Sequence, residues 1–150
     1  LGSNENELEF HQTSESSSST FCKIDQNSNY FKRKKSILNI FRKEEYIVSS
    51  ELIKLKTLKN EFIKYDLEYV DILKIDTEGF ELDVIKGAGS KLKLVKFILF
   101  EHHYDHMIVK NYNFSKINQY LIDLNFKKIV KLKMPLRKTF EYIYVNERLI

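Results

Sequence analysis

Carboxylates that follow two short apolar runs are the residues of this sequence best suited to chemistry. Asp76 and Glu78 come just after the run Val70–Ile75, and Glu101 follows the run that starts at Val95. A carboxylate within hydrogen-bond reach of a hydroxyl group can remove its proton and so act as a general base. Asp76 and Glu101 are therefore the first candidates for catalytic residues.

Glu81, which follows Glu78 by three residues, allows two interpretations. Both glutamates lie near the start of a predicted helix, where a negative charge complements the helix dipole and stabilises it by about 0.3–1 kcal/mol. Either side chain could instead contact a substrate. The sequence alone leaves both roles open.

Histidines are concentrated at the end of the second run, where His102, His103 and His106 stand beside Glu101 and Asp105. Successive residues of a strand point to opposite faces, so His102 and His103 would not share a metal ion without a bend. We therefore predict no metal site, and we expect one of these two histidines to position an acceptor or to act as a base. A metal-dependent hydrolase is the alternative. Its ligands would be Asp76, Glu78, Glu101 and His103.

The elements that must position these groups form a strand–helix–strand unit. The two apolar runs have the pattern of strands that are covered on both faces. Between them, one side of a short helix is covered by Phe80, Leu82, Val84 and Ile85, and Gly87 is predicted to end that helix in the left-handed conformation. A unit of this length is a right-handed crossover in a parallel sheet. Ligands bind beyond the carboxyl ends of such strands, which is where both acidic groups lie.

The rest of the chain predicts a single α/β domain over residues 1–150. A short strand is predicted at 7–12, a long polar loop rich in Ser and Lys over 13–36, and a core of sheet and helices over 46–145. An antiparallel hairpin is predicted over 126–145, because alternating apolar residues flank a turn with proline.

Three helix boundaries can also be predicted from local signals. The helix before the first buried strand is expected over 61–69. Ser115 is expected to cap the start of a later helix, and Asn125 is expected to end it in the left-handed conformation.

The run LKIDTEGFELDVIKGA and the strand FILFEHH that follows it resemble the C-terminal half of the FkbM-type methyltransferases. The residues that match that family in order and spacing are Lys74, Ile75, Asp76, Glu78, Gly79, Glu81, Gly87, Ala88 and Glu101. Weaker similarity extends through the opening residues to the Ser-rich tract. The resemblance implies a Rossmann-like class I methyltransferase sheet, in which parallel strands are followed by a terminal antiparallel hairpin.

The resemblance also implies a function. Members of the family are mostly O-methyltransferases that use S-adenosylmethionine, so the expected acceptor is a hydroxyl group of a sugar, another glycan or a small secondary metabolite. The implied catalytic residues are Asp76, Glu101, His102 and His103. The implied cofactor contacts are Asp76, Glu78, Gly79, Ser18 and Ser19. The implied substrate contacts are Glu78, Glu81 and His103. Composition alone favours a flexible loop for the serine tract.

Part of the family's pattern is missing from this chain. Class I methyltransferases hold the cofactor with a Gly-rich turn after their first strand, but only four glycines occur here and none follows such a strand. We therefore expect a domain that is incomplete at its N-terminus. The strand at Ile72–Ile75 would then be an exposed sheet edge, which promotes self-association.

Charge and composition limit the other classes of function. The 25 basic and 21 acidic residues form a mixed surface, so we expect no nucleic-acid partner. No apolar stretch reaches the roughly 18 residues of a membrane span. Cys22 is the only cysteine, which excludes an internal disulfide and agrees with a cytoplasmic protein. A non-catalytic α/β binding module, whose basic run Lys32–Lys35 contacts an anionic partner, is the remaining alternative.

Overall fold

The computed structural model describes residues 1–14, 18–41, 46–135 and 137–150. This part of the chain has a mixed α/β fold. Its strands are β1 (Glu7–Thr13), β2 (Lys23–Ile24), β3 (Ile47–Lys54), β4 (Val70–Ile75), β5 (Val95–His103), β6 (Ile108–Val109), β7 (Phe126–Lys133) and β8 (Thr139–Asn146). Its α-helices are α1 (Asn29–Phe41), α2 (Leu58–Lys64), α3 (Glu81–Gly87) and α4 (Phe114–Asp123), and a 3-10 helix follows α3 at Gly89–Leu94.

The central sheet has four strands in the order β4-β5-β8-β7. Strands β4 and β5 are parallel, whereas β8 is antiparallel to both of its neighbours. This confirms the predicted succession of parallel strands and a terminal antiparallel hairpin. Ile75 pairs with Phe100 across the parallel pair, so Asp76 and Glu101 follow at the same edge of the sheet.

The main core lies where α2, α3 and α4 pack against this sheet. The side chains that are fully buried there include Ile85, Val95, Ile98, Ile117 and Leu121. Burying an aliphatic side chain of this size contributes about 1.5–3 kcal/mol. The predicted apolar side of α3 is confirmed, because Leu82, Val84 and Ile85 are buried and Phe80 packs partly against the same core.

Strand β4 lies at one edge of the central sheet. In the described part of the chain β5 is its only paired neighbour, and Ile72 of β4 is 64% exposed. The opposite edge, β7, carries the lysines that natural sheets often use to discourage pairing with another chain. Self-association through β4 stays a prediction, which sedimentation of the wild-type protein beside an Ile72→Lys variant would test. The described residues contain no helix that is long and apolar enough to cross a membrane.

The role predicted for Gly87 is wrong. Gly87 lies inside α3, the residue after it has a right-handed helical conformation, and the left-handed glycine is Gly89, with φ of 51°. A Cβ atom on Gly87 would lie 2.0 Å from the carbonyl oxygen of Gly2. The glycine is needed because the N-terminal segment approaches the helix backbone closely, which local sequence signals do not reveal.

The loop predicted over 13–36 is also corrected in part. Strand β2 pairs with β6, and α1 begins at Asn29. Between residues 29 and 37 of α1 most side chains are exposed to solvent, but Phe31 is buried and its ring packs edge-on against Tyr46 at 5.0 Å. Residues 15–17 of the predicted flexible tract lie outside the described residues.

Helix boundaries differ from the predictions by a few residues. Helix α2 ends at Lys64, short of the predicted range 61–69. The cap of α4 is not Ser115 but Asn113, whose side-chain oxygen accepts a hydrogen bond from the Lys116 N–H at 3.0 Å. Asn caps a helix as well as Ser does, so the choice depends on where the chain turns. The left-handed Asn125 is confirmed, with φ of 65°.

Candidate active site

The turn between β4 and α3 brings Glu78 into the protein in an unusual backbone conformation. Glu78 and Gly79 have φ angles of 49° and 101°. The left-handed region is unfavourable for a glutamate by about 1–3 kcal/mol, so its surroundings must stabilise it. The Thr20 hydroxyl donates to the Glu78 carbonyl oxygen at 2.7 Å, and the Cys22 thiol contacts the Gly79 carbonyl oxygen at 3.3 Å. The N-terminal segment therefore holds the turn in place.

Glu81 supports the same turn from the protein interior. Its side chain is fully buried and accepts hydrogen bonds from the Gly79 N–H at 2.8 Å, from the Thr77 hydroxyl at 3.2 Å and from the Tyr112 hydroxyl. Three donors satisfy a buried carboxylate that would otherwise be costly. Glu81 therefore supports the turn that carries Glu78, a structural role that neither of its two predicted interpretations included, and its contact with a substrate stays a prediction.

His103 is the centre of a cluster of carboxylates. Its Nε2 atom lies 3.0 Å from Glu78 Oε2 and 4.0 Å from Glu101 Oε2, and its Nδ1 atom lies 3.5 Å from Asp105 Oδ2. The Thr139 hydroxyl is 3.1 Å from the same Nδ1 atom. Burial by itself lowers the pKa of His103, but the contacts with Asp105 and Glu78 outweigh burial and raise the pKa to about 9. His103 is therefore an imidazolium cation at neutral pH.

The Nε2 atom of His103 is close to two carboxylates without forming an aligned hydrogen bond. It is buried, and no acceptor in the described residues meets its N–H direction, although Glu78 Oε2 is within ion-pair distance. A buried donor in this state gains free energy when a partner arrives. An oxygen atom of a bound molecule could be that partner.

Glu101 is the carboxylate of the cluster with the properties of a base. It is half-buried, and burial is the largest cause of its raised pKa. The negative charges of Asp76, Glu78 and Glu141 raise the pKa further, while His103 offsets part of this rise. A carboxyl group whose pKa is raised accepts a proton more readily than an ordinary glutamate.

Asp76 lies at the rim of this cluster. Its side chain is 44% exposed and forms a surface ion pair with Lys74 at 3.7 Å. Surface pairs of this kind contribute little to stability. Asp76 acts on Glu101 through its charge, but the structure does not bring it into contact with His103 as it does Glu78.

His102 lies on the opposite face of β5, as the alternation predicts. Its ring packs against Tyr104, Tyr112 and Phe114, with centroids 4.9, 5.8 and 5.7 Å away. Burial lowers its pKa to about 3, with smaller contributions from Lys110 and His103, so the ring is neutral. The structure thus separates His102 from the carboxylates that surround His103.

A cleft of about 380 Å³ opens beside the cluster, which is a suitable size for a small molecule. The side chains that line it are Ser18, Tyr30, Arg33, Lys34, Ile37, Glu78, His103, Met107 and Arg137. Ser18 accepts a hydrogen bond from Lys34 Nζ at 2.9 Å in this cleft, whereas Ser19 accepts one from the Thr13 N–H at 3.2 Å. Only Ser18 of the two predicted serines therefore lines the cleft.

Several residues of this site were not singled out from the sequence. Asp105 stood in the histidine-rich stretch, but nothing local indicated that it would fold back onto His103. Thr139 reaches His103 because these two residues pair across β5 and β8. Arg137 enters the cleft from the turn before β8, so its place depends on the register of the hairpin.

Within the ranges that the structure describes, no group of three or more His, Cys, Asp or Glu side chains is arranged to hold a metal ion. No curated protein and no solved structure is similar enough to this chain to count as a match. The family model described as Methyltransferase FkbM domain matches residues 1–128. These residues include the turn at Glu78, the strand that carries Glu101 and His103, and Ser18 of the cleft. The chain therefore belongs to the FkbM methyltransferase family.

Proposed function

We propose that the cleft is the acceptor side of an S-adenosylmethionine-dependent O-methyltransferase, whose acceptor is a hydroxyl group of a sugar or another small metabolite. Membership of the family supports methyl transfer. The parallel pair β4–β5 and the terminal hairpin β7–β8 agree with a Rossmann-like class I sheet. The acidic cluster at the carboxyl ends of β4 and β5 supports a hydroxyl acceptor.

S-adenosylmethionine would supply the methyl group when bound. Gly79, the glycine that adjoins Glu78, does not offer an open backbone surface for it. A Cβ atom on Gly79 would lie 2.5 Å from Ile108 Cγ2, so protein side chains already occupy that space. The described residues thus do not form a cofactor cradle at Gly79. Contacts of Glu78 and Ser18 with the cofactor stay predictions.

The distance between His103 and Glu101 is the observation that carries the proposal. Their atoms Nε2 and Oε2 are 4.0 Å apart. An acceptor oxygen about 2.8 Å from each atom would accept the N–H of His103 and donate its own proton to Glu101. The O–H bond breaks as the proton moves to Glu101, and the imidazolium stabilises the negative charge that develops on the oxygen. That oxygen then forms the new bond to the methyl carbon.

Radiolabelled methyl transfer to a panel of sugars and hydroxylated metabolites tests this assignment. Glu101→Gln removes the base with little change in shape and is expected to lower kcat by a hundredfold or more. Glu147→Gln is the matched control, because Glu147 is an exposed carboxylate that pairs with Lys127 and is outside the contacts of His103 and Glu101. It is expected to change kcat by less than about threefold. Equal losses in the two variants, or full activity in Glu101→Gln, would contradict the proposed base.

A further inference from the structure

Positively charged side chains also line the cleft. They come from different elements than the carboxylates of the acidic cluster do. Arg33 comes from α1 and Arg137 from the turn between β7 and β8, and both line the cleft that also exposes Glu78 and His103. Lys34 lines it as well and donates to Ser18. Tertiary folding thus brings two guanidinium groups from distant parts of the sequence to one small site.

Neither guanidinium is used by the protein itself in the described residues. Arg33 and Arg137 have no ion-pair or side-chain hydrogen-bond partner there, and both side chains are exposed. Arg148, by contrast, contacts the side-chain oxygen of Asn125 outside this cleft. Two unpaired arginines in one concave site can accept a ligand without first breaking internal contacts.

The chemistry of arginine identifies the kind of ligand group. A guanidinium presents parallel N–H donors that match the oxygens of a phosphate or carboxylate, and such charge-assisted pairs are stronger than neutral hydrogen bonds. Glu78, which lines the same cleft, and Glu101, which lies 4.0 Å from His103 Nε2, repel an anion. The electrostatic asymmetry would therefore orient a bound molecule, with its anionic end toward the arginines and its hydroxyl end toward the carboxylates.

We propose, building on the function proposed above, that the methyl acceptor carries a phosphate or carboxylate group that Arg33 and Arg137 bind. The small size of the cleft requires the anionic group and the reacting hydroxyl to belong to one compact molecule, such as a sugar phosphate or a sugar acid. A neutral sugar would leave both arginines without a partner.

Anion binding can be measured without catalysis, so its outcome is independent of methyl transfer. Inorganic phosphate is titrated into the full chain at constant ionic strength, and the side-chain Nε–H signals of the arginines are followed by NMR. We expect saturable shifts for Arg33 and Arg137 and none for Arg148. Arg33→Gln and Arg137→Gln should each raise the Kd for phosphate at least fivefold, whereas Arg148→Gln should leave it unchanged. Shifts of equal size at all three arginines would overturn the proposal.

The carboxylate of the cofactor is a second source of the same chemistry, and a competition experiment separates the two sources. Phosphate is titrated with saturating S-adenosylhomocysteine, and again with 5′-methylthioadenosine, which lacks the carboxylate. Simultaneous binding of phosphate and S-adenosylhomocysteine supports the acceptor site. Displacement of phosphate by S-adenosylhomocysteine but not by 5′-methylthioadenosine would assign the arginines to the cofactor and overturn it. Phosphate binding by a protein that methylates no acceptor would instead contradict the proposed function and leave the anion site in place.

Discussion

Two neighbouring histidines of β5 experience opposite environments. His102 is neutral among the rings of Tyr104, Tyr112 and Phe114, and burial lowers its pKa to about 3. His103 is also buried, yet its carboxylate neighbours raise its pKa to about 9 against the effect of burial. The two residues share their identity and are both inaccessible to solvent. The difference shows that the charge of a buried histidine depends on which partners the fold supplies.

The comparison also distinguishes the two faces of β5. The face of His102 serves packing, and the face of His103 carries charged groups. The ring of His102 can pack like any aromatic residue because it carries no charge. The imidazolium of His103 compensates the buried charges of Glu78 and Asp105, and its Nε2 atom has no aligned hydrogen-bond partner in the described residues. Buried carboxylates without such a cation would be strongly destabilising. The side of His103 is therefore the one where chemistry is expected.

The largest effect is expected when each histidine is replaced by phenylalanine. His103→Phe leaves Glu78 and Asp105 without their cation and should lower the free energy of unfolding by about 3–5 kcal/mol. His102→Phe keeps an aromatic ring and removes the Nδ1 atom, which is buried without a partner in the described residues. It should raise stability by up to about 1 kcal/mol. Urea denaturation measures the free energy of unfolding of both variants. Equal losses would contradict the opposite environments assigned to His102 and His103.

The pH dependence of stability follows from the same two residues. The folded pKa of His103 is raised to about 9, so its contribution is complete below the ordinary histidine value of 6.5 and is lost as the pH rises through 9. The folded pKa of His102 is lowered to about 3, so its neutral form stabilises the fold above 6.5 and this contribution is lost as the pH falls toward 3. Stability should be greatest near pH 6.5.

The linkage between proton binding and folding sets the size of this change of stability with pH. The contribution of His103 corresponds to about 3 kcal/mol, because each pKa unit is worth about 1.4 kcal/mol. Urea denaturation between pH 4 and 10 measures the profile. His103→Phe provides the control, since it should remove the decline on the alkaline side and keep the decline on the acidic side. A wild-type protein whose stability is constant between pH 6.5 and 9 would contradict the assignment for His103.

A smaller effect sharpens the assignment of the partners of His103. Glu78→Gln removes one neighbouring charge and should lower the pKa of His103 by about one unit, while that of His102 stays unchanged. NMR titration of the imidazole Cε1–H signals measures both values. Glu141→Gln serves as control, because it removes a carboxylate from the same sheet that does not contact His103. A pKa of His103 that is insensitive to Glu78 would contradict the role of Glu78 and leave Asp105 and Glu101 as the charged neighbours.

Much of the fold could be predicted from local patterns. Apolar runs identified β4 and β5, and the alternation of side chains along a strand predicted that His102 and His103 lie on opposite faces of β5. The charges of these histidines could not be predicted, because they depend on residues from other elements. The pairing of β5 with β8 brings Thr139 next to His103, and the chain reversal after β5 brings Asp105 there.

The sequence by itself determined the unit β4–α3–β5, the terminal hairpin β7–β8 and the placing of Asp76 and Glu101 at one sheet edge. These features depend on periodicity and spacing, which act between neighbours along the chain. The tertiary structure decided that Glu81 is buried beneath the turn, that Gly87 faces the backbone of Gly2, and that Arg33 and Arg137 share a cleft. Such contacts join residues far apart in sequence, so their energies depend on the packed fold and not on any local pattern.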